Sequence, residues 1–149
     1  MISEIEKKRY ISNLLNSDGR PRVSIQTTDS MSPAVFERMV AVLFNSMGYD
    51  AKVTKLSGDQ GVDVVADKKG RRAVIQAKCY SGSVGNGAVQ EVVAGKQYYH
   101  AVDAYVVTNS TFTKSAIELA RANNVVLWDR NELAAMLERY VVYISELYN

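Results

Sequence analysis

The eight residues Ala73-Val74-Ile75-Gln76-Ala77-Lys78-Cys79-Tyr80 constrain the fold more than any other segment of this chain. Strand alternation puts Ala73, Ile75, Ala77 and Cys79 on one face and Val74, Gln76, Lys78 and Tyr80 on the other. A strand that begins apolar on both faces belongs inside a sheet covered on both sides. Covering both sides requires helices, and the chain supplies them in alternation with strands.

The order can be followed along the chain. Residues 1–16 carry Ile2, Ile5, Ile11, Leu14 and Leu15 at an incomplete helical period, and Ser17-Asp18-Gly19-Arg20-Pro21 breaks that segment. Val23 to Gln26 reads as a short strand and Thr27 to Ser32 as a polar lead-in. Ser32 suits an N-cap and Pro33 a first helical position. Phe36, Met39, Val40, Leu43, Phe44 and Met47 then form a helical stripe that ends at Gly48. Three strand-like segments follow, Ala51–Leu56, Gly61–Ala66 and Arg72–Tyr80, with Asp67-Lys68-Lys69-Gly70 as a turn. A helix is expected over Ala88–Tyr99, a strand over Ala104–Thr108, a helix over Thr113–Asn123 and a strand over Val125–Asp129. A long last helix is expected from Asn131 to about Leu147. The order after the N-terminal segment is α-β-β-β-α-β-α-β-α. It predicts an α/β fold with a central mixed sheet flanked by helices.

Composition narrows the chemistry. The chain has 149 residues, 47% hydrophobic and 23% charged, which fits one domain. Its single cysteine, Cys79, excludes an internal disulfide or a cysteine-rich zinc site, and its single histidine, His100, argues against histidine-rich metal centres. A net charge of +2 does not by itself point to nucleic acid. The first ten residues mix acids and bases, and no apolar run approaches the roughly 20 residues of a bilayer span. The expectation is a cytoplasmic protein. Catalysis in such a chain would rest on carboxylates, lysines and a hard metal.

Three residues break the apolar pattern. Gln76 and Lys78 occupy an interior strand, where polar groups are costly unless they serve a cleft. Asp63 interrupts a run of valines in Gly61-Val62-Asp63-Val64-Val65. Neighbouring strands lie about 5 Å apart, so Asp63 can face Gln76 and Lys78. Glu37 sits at the edge of the helical stripe and can project towards the sheet. Two acids, an amide oxygen and a lysine suit a hard cation that keeps several waters. Plainer readings stand beside this one: Asp63 salt-bridged to Lys78, and Glu37 a solvated helix residue.

At these residues the chain resembles a known family. Phe36-Glu37, Gly48-Tyr49, Gly58-Asp59-Gln60-Gly61-Val62-Asp63 and Gln76-Ala77-Lys78 resemble the Mrr-like restriction endonuclease domain, a branch of the PD-(D/E)xK nuclease superfamily. Val84-Gly85, Val89-Gln90-Glu91, Val107-Thr108-Asn109, Phe112-Thr113 and Ala116 with Ala120 agree. The match runs from about Pro33 to Leu137. It divides the chain into an N-terminal helical extension, 1–32, and a nuclease domain, 33–149.

The resemblance implies a restriction-endonuclease-like core and roles for particular residues. Asp63 corresponds to the metal-binding aspartate, Lys78 to the motif lysine and Glu37 to the helix acid. Gln76 stands where the wider superfamily has an acid. An amide oxygen can ligate a cation but adds no charge, so Glu37 is expected to supply the second carboxylate. The implied activity is Mg2+- or Mn2+-dependent hydrolysis of DNA phosphodiester bonds, in restriction of foreign or modified DNA. Alternatives are a structure-selective nuclease of the junction-resolvase kind and a DNA-binding module that does not cut. Weaker candidates for DNA contact are Gln90, the glycine-rich loop 81–87 and the basic cluster Lys68, Lys69, Arg71 and Arg72, which could equally be a solvated turn. A homodimer is a further expectation. Tyr140, Ile144, Leu147 and Tyr148 would form its interface or else pack on their own core.

Overall fold

The computed structural model describes residues 3–7, 19–54 and 61–148. After a single-turn helix α1 (Ile25–Thr28) come α2 (Pro33–Ser46), β1 (Asp50–Val53), β2 (Val64–Lys68) and β3 (Arg71–Lys78). Then follow α3 (Asn86–Tyr98), β4 (Asp103–Thr108), α4 (Lys114–Ala122), β5 (Val125–Trp128) and α5 (Arg130–Arg139), with a closing 3-10 turn at Ile144–Leu147. The strands form one sheet in the order β1-β2-β3-β4-β5. β1, β2 and β3 pair antiparallel, while β3, β4 and β5 pair parallel. The mixed sheet expected from the sequence is thus present, with β3 at its centre.

The centre is where a strand must be apolar on both faces, and β3 shows why its alternation matters. Ala73, Ile75 and Ala77 join the core under α2 and α5, with Phe36, Met39, Leu43, Phe44, Leu133 and Leu137. Val74 joins the opposite core under α3 and α4, with Val89, Val92, Ala116 and Ala120. Helices therefore cover both faces, giving three layers. Phe44 anchors the first core: it stacks on Trp128 with ring centres 5.2 Å apart and meets Tyr49 and Tyr105 edge-on at 5.3 Å. Trp128 also meets Tyr105 edge-on at 5.4 Å, within the core that Leu133 and Leu137 of α5 share.

Some boundaries differ from the sequence reading, for physical reasons. Val23–Gln26 is not a strand. Ser24 caps α1 through a reciprocal pair with Thr27, and that local bond closes a helical turn. Val23 is buried in the core below α2. The hairpin between β2 and β3 turns on Lys69 and Gly70 alone, both at positive φ, so Asp67 and Lys68 belong to the strand. The last helix stops at Arg139 instead of running to Leu147. Tyr140 turns to extended backbone, and Tyr143 forms a bridge with Arg22. Tyr140, Ile144 and Leu147 pack on the molecule's own core, whereas Tyr148 is exposed. Residues 4–7 are helical, but most of the expected helix over 1–16 lies outside the described residues, as do Lys55 and Leu56 of the first expected strand. Among the described residues no helix is long and apolar enough to cross a membrane.

Candidate active site

A cleft of about 270 Å³ opens where β3 ends, lined by Pro33, Glu37, Asp63, Gln76, Ala77, Lys78, Cys79, Tyr80 and Glu91. Three elements and one strand lead-in bring these side chains together.

Asp63 lies one residue before β2, not within it. The strand pairing has ended there, which leaves the Ala77 N–H of β3 without a ladder partner. The Asp63 carboxylate fills the gap: its Oδ2 accepts from Ala77 N–H at 2.8 Å, and the Asp63 N–H donates to Ile75 O at 3.0 Å. Asp63 is only 4% exposed. The anomaly seen in the sequence is therefore a buried carboxylate held by backbone at the mouth of the central strand.

Gln76 and Lys78 leave β3 on the α3 side, as the alternation requires. Gln76 is 3% exposed, and its Nε2 donates to Glu91 Oε2 at 2.6 Å. Its Oε1 is buried and, among the described residues, accepts no hydrogen bond. A buried acceptor without a partner costs roughly 1–3 kcal/mol, so this atom is one that a cation or donor would satisfy. Lys78 Nζ lies 3.4 Å from the same Glu91 oxygen.

Glu37 reaches the cleft from the other face of the sheet. Ser32 accepts from the Val35 N–H, Pro33 begins the helix, and the buried Phe36, Met39 and Val40 fix its rotation. That rotation leaves Glu37 half-buried on the flank beside Asp63. Burial pushes its carboxyl up to about 7, and the charge of Asp63 and a proton shared with it push the same way, against Lys78. Asp63 is also raised, mainly by burial, against the Ala77 N–H, the Glu37 carboxyl and Lys78. Like charges in one cleft disfavour ionising both carboxyls, and a cation between them would favour it.

The oxygen set is thus two carboxylates and one unpaired amide. Among the described residues, no group of three or more His, Cys, Asp and Glu side chains could by itself hold a metal. A hard cation that keeps most of its water asks for no such cage; one or two carboxylates with a neutral oxygen suffice. The unpaired Gln76 Oε1 makes the fit specific.

All four expected residues, Glu37, Asp63, Gln76 and Lys78, line this cleft. The weaker candidates do not. Gln90 is exposed on α3 and does not line the cleft. The basic cluster sits at the start of β3, about 23 Å along the strand from Lys78. There Arg71 pairs with Asp103 at 2.7 and 2.9 Å and Arg72 with Asp67 at 2.8 and 3.3 Å, while Lys68 donates to Met47 O. Asp59 lies outside the described residues. Glu91 stood in the sequence only within the segment Val89-Gln90-Glu91, with no role in the site. Its signal was helical phase: Glu91 follows Ala88 by three residues and precedes Gly95 by four, and both are buried against the sheet.

Comparison with known proteins bears on the fold and the family. No curated protein matches the chain. Among solved structures, it is similar to a protein of unknown function, AF1548, with a TM-score of 0.62 and 21% identity over 71% of this chain and 65% of that one. It is similar to MspJI restriction endonuclease in complex with a 27-mer oligonucleotide, with a TM-score of 0.59 and 26% identity over 77% of this chain and 30% of that one. It is also similar to the DNA modification-dependent restriction endonuclease AspBHI, with a TM-score of 0.61 and 17% identity over 93% of this chain and 36% of that one. The chain thus spans about a third of the length of the two restriction enzymes. Residues 28–137, which hold the whole sheet and every side chain of the cleft, match the restriction endonuclease family Mrr_cat, and the chain belongs to that family of PD-(D/E)xK nucleases.

Proposed function

We propose that this chain is the cutting domain of a Mg2+- or Mn2+-dependent DNA endonuclease that acts in restriction of foreign or modified DNA. The observation that carries the reading is the buried Oε1 of Gln76, which accepts no hydrogen bond among the described residues, in one cleft with the carboxyls of Glu37 and Asp63. The likeness to MspJI and AspBHI supports DNA as the substrate and restriction as the setting.

Asp63, Glu37 and Gln76 Oε1 would hold the cation. A divalent cation there supplies Lewis acidity towards a phosphoryl oxygen and lets water attack near neutral pH. The chain's own residues do the rest. Asp63 is held by the Ala77 N–H through Oδ2, which fixes its carboxylate in the lining of the cleft before any ligand arrives. Lys78 places a positive charge where the phosphorane would accumulate negative charge, and it orients the attacking water. Glu37 adds the second negative charge that a neutral Gln76 cannot supply.

Plasmid cleavage with added Mg2+ or Mn2+ tests the reading. Cutting by the wild type that disappears in Asp63→Ala and Lys78→Ala supports it. DNA binding with no cutting under any divalent metal would make the chain a binding module. Preference for branched over linear DNA would make it a structure-selective nuclease. Methylated and unmethylated substrates, compared side by side, test the restriction of modified DNA.

A further inference from the structure

The side-chain amide of Gln76 has two ends of opposite character. Turned one way it offers an acceptor oxygen to the cleft, and turned the other way it offers an NH2 that would repel a cation. Something must choose, because a freely turning amide is a poor ligand. Glu91 makes the choice. An ionised carboxylate only accepts, so the group that meets Glu91 Oε2 at 2.6 Å has to be the NH2. Oε1 is thereby left as the free end.

Two further features show that Glu91 is held in place for this contact. Its own side chain is 49% exposed and could be satisfied by water, whereas Gln76 is buried and its side chain hydrogen-bonds to Glu91 alone among the described residues. The Glu91 backbone is also pinned. Gly61, two residues before Asp63, packs so close that a Cβ there would lie 2.3 Å from Glu91 O. The segment that carries Asp63 therefore locks the helix turn that carries Glu91. The same Glu91 oxygen lies 3.4 Å from Lys78 Nζ, so one atom ties together both polar positions of β3.

We propose that Glu91 is a positioning residue that fixes the Gln76 amide with its oxygen free for the cation, turning a neutral side chain into a defined ligand. The inference rests on the metal-dependent reading above. Glu91 acts here through its acceptor oxygen, and its charge is secondary.

Calorimetric titration of the full chain with Mn2+ tests it, using Glu91→Gln and Glu91→Ala with Asp63→Ala as control. Glu91→Gln keeps an acceptor for the NH2 and should bind Mn2+ within a few-fold of the wild type. Glu91→Ala frees the amide and should weaken binding about 10–100-fold, the range typical of groups that orient ligands. Equal affinity in Glu91→Ala and wild type would overturn the role of Glu91. So would a Glu91→Gln as weak as Glu91→Ala, which would assign the effect to charge. Absence of any Asp63-dependent Mn2+ binding in the wild type would instead overturn the proposed function.

A metal-free measurement covers the case in which Glu91→Ala fails to fold. Gln76→Glu sets a carboxylate against Glu91 and should lower the melting temperature in EDTA. Adding Glu91→Gln to that variant restores a donor–acceptor pair and should raise the melting temperature again. No recovery in the double variant would overturn the contact.

Discussion

A Cβ built on Gly61 would lie 2.3 Å from the backbone carbonyl oxygen of Glu91 and 2.8 Å from its carbonyl carbon. No side-chain rotation can relieve a clash with main chain. Gly61 also sits at φ +68°, where an L-residue is strained. Gly61→Ala should therefore cost about 2–4 kcal/mol, combining the left-handed penalty with displacement of packed backbone. Urea unfolding checks this: the midpoint should fall while the slope stays constant. A shift within the error of the wild type would mean that α3 is free to retreat.

Asp63→Asn should leave the Ala77 N–H satisfied, because the amide oxygen can still accept. The fold should survive while one of the two carboxylates near the cation is lost. Cleavage of plasmid DNA should drop by at least about 100-fold, and binding of DNA in the absence of metal should not weaken. Measuring both on one preparation separates chemistry from affinity.

The carboxylate pair gives stability a pH dependence in the metal-free protein. Folding raises Glu37 from 4.5 to about 7, first by burial and then by Asp63, and raises Asp63 in the same direction. A carboxyl whose folded value lies above its unfolded value favours folding while it is protonated. That contribution is complete below 4.5 and is lost as pH rises through about 7. In EDTA the melting temperature should fall between about pH 5 and about pH 8, and the fall should be smaller in Glu37→Gln. Added Mg2+ should restore stability at the upper end, since a cation held by the ionised carboxyls binds the folded state alone.

Phe44 is fully buried between Trp128, Tyr49 and Tyr105. Phe44→Ala removes the ring that three others pack against and leaves a cavity among them. The expected loss is about 3–5 kcal/mol by chemical unfolding. Val126→Ala, at an exposed position on β5, is the matched control and should change stability by less than about 0.5 kcal/mol.

The basic turn offers a contrast with the cleft. Arg71 and Arg72 already hold Asp103 and Asp67. Replacing Lys69 and Arg71 with alanine should leave the slope of log affinity for DNA against log salt unchanged. A true phosphate contact would reduce that slope by about 1 per charge removed.

Most of the layer order was legible in the chain because hydrophobic periodicity is a local signal. β3 declared its central place through Ala73 to Ile75, and α2 declared its inner face through Phe36 to Phe44. The ends were less legible. Whether Val23–Gln26 formed a strand or a helical turn depended on a Ser24–Thr27 bond that competes with pairing. Where the last helix stopped depended on contacts between Tyr143 and Arg22, far apart in sequence. Of the site, Asp63, Gln76 and Lys78 stood out because polar groups among β-branched residues demand a reason. Glu91 did not stand out, since an acid on a helix that is otherwise half polar looks like solvated surface.

The sequence by itself determined that a two-sided central strand carries an amide and a lysine, and that an acid interrupts the valines of the neighbouring segment. Those facts follow from alternation and from the cost of burying polar groups. Only the tertiary structure decided which end of the Gln76 amide is free, which helix turn meets it, and that Glu37 and Asp63 line one cleft from different elements. These depend on distances of a few ångströms between residues on different elements, and the one-dimensional pattern carries no such distances.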